Sequence, residues 1–131
     1  MLIFLRTFFM VVIASMLAVT SWASLQCPLF GVPRAVATHP WFIATLFDAY
    51  WGFFTFYVWV CYKQTSHLAR LAWFIAIMLL GNIAMAAYCL AELFSITSHD
   101  SLAGLLTTRR EGPGRLGLVL AALGIAVIAL A

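Results

Sequence analysis

Charge is what this chain lacks most. Its 131 residues hold seven Lys or Arg and four Asp or Glu, so 8% are charged and 66% hydrophobic. A soluble domain carries about 25% charged and about 45–50% apolar residues. So few charges cannot cover the surface of a water-soluble fold. The basic residues, Arg6, Arg34, Lys63, Arg70, Arg109, Arg110 and Arg115, are scattered at or near the ends of apolar runs. That is where interface anchors sit, and it excludes a clustered nucleic-acid patch. Histidine is equally sparse: His39, His67 and His99 all fall in expected loops, which removes bis-His haem ligation in mid-membrane. The three cysteines, Cys27, Cys61 and Cys89, form no CxxC pair and no even-numbered disulfide framework. Neither a Ser/His/Asp set, nor a phosphate loop, nor a metal-ligand cluster, nor an internal repeat is present. The reading is therefore no catalytic residue, no metal, no cofactor and no nucleic acid; the partner that composition implies is the lipid bilayer.

What the chain has is long apolar runs. They cover about residues 2–24, 41–62, 71–94 and 116–131. The first three exceed the ~20 residues that an α-helix needs to span ~30 Å of hydrocarbon. The fourth, with 16 residues, is a marginal span that crosses with local thinning or lies partly at the interface. The expected fold is all-α: one domain over 1–131, an integral membrane helical bundle of three long transmembrane helices plus a short C-terminal fourth. The expected location is a membrane crossed several times, the bacterial inner membrane. Residues 26–40 hold three prolines and a glycine and read as an irregular loop. Residues 63–70 read as a tight turn that makes an antiparallel hairpin of the second and third helices. Gly112-Pro113-Gly114 is a helix breaker.

Two features of topology stay open at this level. Arg6, an apolar stretch and Ser21-Trp22-Ala23 have the layout of a signal peptide, yet the stretch from Thr7 outruns the ~7–15 residues of a signal core, which favours an uncleaved helix. With the N-terminus cytoplasmic, Arg6, Lys63 and Arg70 lie inside and Arg34, Arg109, Arg110 and Arg115 outside. Three against four decides nothing under the positive-inside rule.

Eleven of the 22 residues from Trp41 to Tyr62 are aromatic, and Asp48 is the one charge among them. A carboxylate in hydrocarbon costs about 2.5–3.5 kcal/mol or more. At helical spacing Thr45, Asp48, Gly52, Thr55, Trp59 and Tyr62 share a face, expected to meet protein. Leu46, Phe47, Tyr50, Phe53, Phe54 and Tyr57 are expected to meet lipid. Folding the hairpin about its turn puts residue n opposite about 133 − n. Asp48 then falls near Met85, within a turn of Asn82, and Glu92 near Trp41, within reach of His39 and Arg34. Asp48, Asn82, Thr45, Thr55 and Glu92 are thus candidates for binding or for clamping helices together. On the clamp reading, Asp48→Ala lowers stability and Asp48→Asn is nearly neutral.

The segments from Ser15 to Leu25, Pro40-Trp41-Phe42, Phe47-Asp48-Ala49-Tyr50, Gly52-Phe53, Tyr62-Lys63 and Gly81-Asn82-Ile83-Ala84-Met85-Ala86 together resemble the family known as domain of unknown function 1475. The resemblance covers about residues 1–110. It implies a compact multi-helix membrane protein without an assigned activity, to which residues 116–131 are an addition.

Three classes of function fit these observations. The first is a non-enzymatic accessory or assembly subunit, or a binder of a hydrophobic ligand. The second is a small homo-oligomeric transporter using Asp48 as a proton- or cation-coupled site. The third is a small membrane enzyme on a hydrophobic substrate, for which the side chains available are few. The small-residue steps Ala14/Ala18, Ala72/Ala76 and Gly117/Ala121 fit packing within the chain and equally within a homo-oligomer or a larger membrane complex.

Overall fold

The structure is a computed structural model, described here for residues 1–96, 102–109 and 111–131. His99 and Arg110, which entered the loop and charge readings above, lie outside the described residues. The elements are α1 (Leu2–Gln26), a 3-10 turn (Leu29–Gly31), α2 (Arg34–Ala37), α3 (Pro40–Lys63), α4 (His67–Leu80), α5 (Asn82–Phe94), α6 (Leu102–Thr107) and α7 (Gly114–Leu130). The all-α expectation holds among the described residues. Only α1 and α3 are long and apolar enough to cross a membrane; α4, α5 and α7 are apolar but shorter. Local signals set the helix starts. Pro40 supplies a φ already fixed for a first turn, and the His39 ring accepts the Trp41 amide at 3.3 Å. The Ser66 hydroxyl accepts the Ala69 amide at the head of α4.

The helix expected over residues 71–94 is two helices. Gly81 separates them with φ 52° and ψ −123°, a conformation that glycine adopts freely and other residues pay for. The chain reverses there. The rings of Trp73 on α4 and Tyr88 on α5 are 4.9 Å apart and edge-on, and Gln64, just before α4, donates to the Tyr88 hydroxyl at 3.0 Å. With 14 and 13 residues at 1.5 Å each, the two arms rise about 20 Å, short of the ~30 Å hydrocarbon layer. The expectation of three long spans is corrected to two long helices and a hairpin whose arms reach about two-thirds of a span.

The Phe53 ring sits against the hairpin tip, where a Cβ on Gly81 would come within 2.7 Å of it. Toward its N-terminus, α3 runs on past that tip with no α4 beside it. The pairing of n with about 133 − n holds for this half, since it sets Phe53 opposite residue 80, and it fails once the chain turns back.

α7 lies along α4 in the same direction: Gly114 meets Ala69, Gly117 meets Trp73 and Gly124 meets Leu79. α5 packs on α1 in the opposite direction. Arg6 near the start of α1 donates to Leu93 O at 2.8 Å and Ile96 O at 3.3 Å, at the end of α5. The core is Val60, Trp73, Ala76, Ile77, Ala84, Tyr88 and Ala121, and α1 contributes no fully buried residue. The core thus lies away from Asp48 and Asn82, which are both exposed. It is built from the C-terminal half of α3, the hairpin and α7. The start of α1, the end of α3, both feet of the hairpin, α6 and the start of α7 gather at one end, called the polar end below.

Candidate functional site

The inward stripe of α3 is Phe53, Phe56 and Tyr57, partly buried, and Val60, fully buried, at steps of three and four. Its next positions are Lys63 and Gln64, each 1% exposed. On α5, Ala84 and Tyr88 are buried and the next step is Glu92, also 1% exposed. The fold thus drives a lysine, a glutamine and a glutamate into the polar end. Lys63 Nζ pairs with Glu92 Oε2 at 2.5 Å, donates to Leu105 O and lies 5.5 Å from the Trp59 ring centroid. Burying either charge alone costs several kcal/mol, and the pairing with added hydrogen bonds offsets much of this.

Three bonds between α3 and residues 105, 106 and 109 hold α6 over this cluster or beside it. They are Lys63 to Leu105 O, Trp59 Nε1 to Leu106 O at 3.0 Å, and Arg109 Nε to Tyr62 O at 2.9 Å. Beneath α6 is an open cleft of about 370 Å³. Leu5 and Phe9 of α1, Phe56 and Trp59 of α3, Cys89 and Leu93 of α5, and Leu105 and Leu106 of α6 line it. Its volume is in the range of ligand sites, and its exposed wall is entirely apolar. The ion pair stands at its edge through Trp59 and Leu105.

The residues singled out in the sequence lie mostly away from this place. Thr45, Asp48 and Thr55 are exposed on α3, and Asn82 is exposed at the hairpin tip. The threonines turn their hydroxyls back on their own helix, Thr45 to Trp41 O and Thr55 to Trp51 O, both at 2.8 Å. No hydrogen bond joins Asp48 to Asn82 among the described residues. The expected division of α3 is reversed in part: Phe53 and Tyr57 pack on the hairpin, and nothing lies within 4 Å of a Cβ built on Gly52. Glu92 sits with Lys63 and not with Arg34 or His39 at the far end. Lys63 and Gln64 were missed, although both extend the apolar stripe of α3 by one step. That extension was the available signal.

Among the described residues no group of three or more His, Cys, Asp or Glu could hold a metal ion. The fold and site define a small all-α protein with an apolar cleft next to a buried lysine–glutamate pair. The chain belongs to the family described as Protein of unknown function (DUF1475), whose model matches residues 1–111. α7 begins beyond the matched residues. Comparison with curated proteins and with solved structures gives no match.

Proposed function

We propose that this chain is a membrane-embedded, non-enzymatic protein that holds a hydrophobic chain in the cleft between α1, α3, α5 and α6. The observation that carries the reading is that wholly apolar wall. It can take an acyl or isoprenoid chain and offers no polar group to a solute. Membrane residence is supported by large apolar side chains exposed along three helices, such as Phe4, Val11 and Trp22 on α1, Phe47 and Trp51 on α3, and Val119 and Ile125 on α7. In water these would form patches far beyond those of a monomeric soluble protein; in hydrocarbon they need no cover.

The test is native mass spectrometry of the gently solubilised protein beside Cys89→Phe, which narrows the cleft from its α5 wall. The expected result is a lipid-sized adduct on the wild type that is reduced in the variant, with both forms melting alike. A bare wild type, or an adduct equally retained by a folded variant, overturns the reading.

A role as a subunit of a larger membrane complex is favoured by a separate observation. Asp48 stands exposed on a helix long enough to span, beside the open backbone of Gly52, and a mid-span carboxylate facing lipid is costly. If a partner covers that face, Asp48→Leu will shrink the solubilised particle; an unchanged particle mass counts against it.

A further inference from the structure

On α3, Trp41, Thr45, Asp48, Gly52, Thr55 and Trp59 follow one another at steps of three and four and so share a face. Half the residues from Trp41 to Tyr62 are aromatic, yet the four positions between these two tryptophans carry no ring. Thr45, Asp48, Gly52 and Thr55 are all exposed. They leave a lane of small and polar side chains about 15 Å long on the helix surface. Its middle is bare backbone, since nothing lies within 4 Å of a Cβ built on Gly52. The lane ends at Trp59, whose Nε1 donates to Leu106 O of α6.

Two features of this lane ask for the same occupant. The missing Cβ at Gly52 lets another helix backbone come close. One turn away, the Asp48 carboxylate asks for a cation, because ionised groups kept in membrane helices pair with one another. Its own chain offers it nothing. Thr45 and Thr55 spend their hydroxyl protons on Trp41 O and Trp51 O. The Asp48 carboxyl makes no hydrogen bond or ion pair among the described residues. A second copy does not supply the cation either. Along α3, Asp48 lies about 12 Å from Pro40 and about 22 Å from Lys63. Arg6, Lys63, Arg70, Arg109 and Arg115 stand at the polar end and Arg34 at the other. A copy packed parallel or antiparallel therefore brings none of these to the depth of Asp48, and a soluble partner stops at the interface.

We propose that this lane receives a transmembrane helix of another protein that carries a lysine or arginine at mid-span. The basic side chain pairs with Asp48, and the backbone of that helix lies against Gly52. The proposal rests on the reading of this chain as a subunit of a larger membrane complex, and it names the chemistry of the partner. It does not depend on the occupant of the cleft.

The test is energy transfer, in phosphatidylcholine vesicles, between the labelled full chain and synthetic leucine–alanine transmembrane helices. The helices differ only in their central residue, which is lysine, leucine or asparagine. The lysine helix should bind at least about tenfold more tightly than the leucine helix, which corresponds to about 1.4 kcal/mol. Asp48→Asn should remove that preference, and Gly52→Leu should weaken the lysine helix by denying it close approach. Both substitutions fall at exposed positions, so both variants should melt like the wild type. Equal binding of the lysine and leucine helices by the wild type overturns the proposal, as does a preference kept by Asp48→Asn. An asparagine helix bound as tightly as the lysine helix would make the lane one for any hydrogen-bonding helix, and also overturns it. Transfer between two copies of the chain that Asp48→Asn removes would assign the lane to self-association and overturns it too. The complex itself is read separately, from the particle mass of Asp48→Leu. An unchanged mass removes the complex and the proposal with it, whereas a smaller particle without a lysine preference keeps the complex and overturns only its cationic partner.

Discussion

Lys63 and Glu92 show how a helix stripe can carry charge into a protein interior. Each lies one helical step past apolar positions that must be buried, so the backbone leaves it nowhere else to go. The pair then behaves as a unit. Glu92→Leu leaves the Lys63 ammonium buried without its carboxylate and should cost about 3–5 kcal/mol, whereas Lys63→Met with Glu92→Leu should cost far less than the sum of the single changes. Thermal melts of the four forms in one detergent check this, and additive losses would refute the coupling. Asp48 is the contrasting case. Exposed, with no bond to Asn82, it should tolerate Asp48→Ala within about 0.5 kcal/mol in the isolated protein, against the loss expected of a helix clamp. The sequence made Asp48 conspicuous because it stands alone among aromatics, and it hid Lys63 because a lysine at the end of an apolar run looks like an ordinary interface anchor.

Among the elements, the hairpin was least visible. The helix start at Pro40 was readable from local chemistry, and the ends of α3 and α7 fall within two residues of the apolar runs, whereas α4 begins at His67 under the Ser66 cap, four residues before the expected start and inside the stretch read as a turn. The break at Gly81 was not readable, because a single glycine inside 24 apolar residues fits a continuous span as well as a turn. Its effect is testable. Gly81→Ala forces a side chain into a positive-φ conformation and against the Phe53 ring, and should cost about 1–3 kcal/mol. Adding Phe53→Leu should return only part of that, since the dihedral strain remains; full recovery would mean that contact alone dictates glycine. α6 is held from the α3 side by a few polar bonds. Trp59→Phe removes the one to Leu106 O, and should raise hydrogen exchange across residues 102–107 while the global melting temperature stays nearly constant.

Across the whole molecule, α7 completes the core although it begins beyond the family-matched residues. Gly117 faces the Trp73 indole, with a Cβ there only 2.8 Å from Nε1. Gly117→Val should therefore cost about 1–3 kcal/mol by overpacking, read as a lower melting temperature. The reversal at Gly81 reaches further still, because on the proposed bilayer reading it changes the parity of membrane crossings. A straight third helix would carry α6 and the start of α7 to the face opposite Met1. A hairpin that turns back before it crosses returns them to the same face. Of the six described Lys and Arg residues, Arg6, Lys63, Arg70, Arg109 and Arg115 then share one end, and Arg34 alone occupies the other. If the chain is embedded as proposed, five against one under the positive-inside rule predicts a cytoplasmic Met1. An impermeant maleimide applied to intact cells should then label Cys27 and spare a cysteine introduced as Thr108→Cys. On the proposed bilayer reading, a single glycine dihedral sets which residues share a side with Met1.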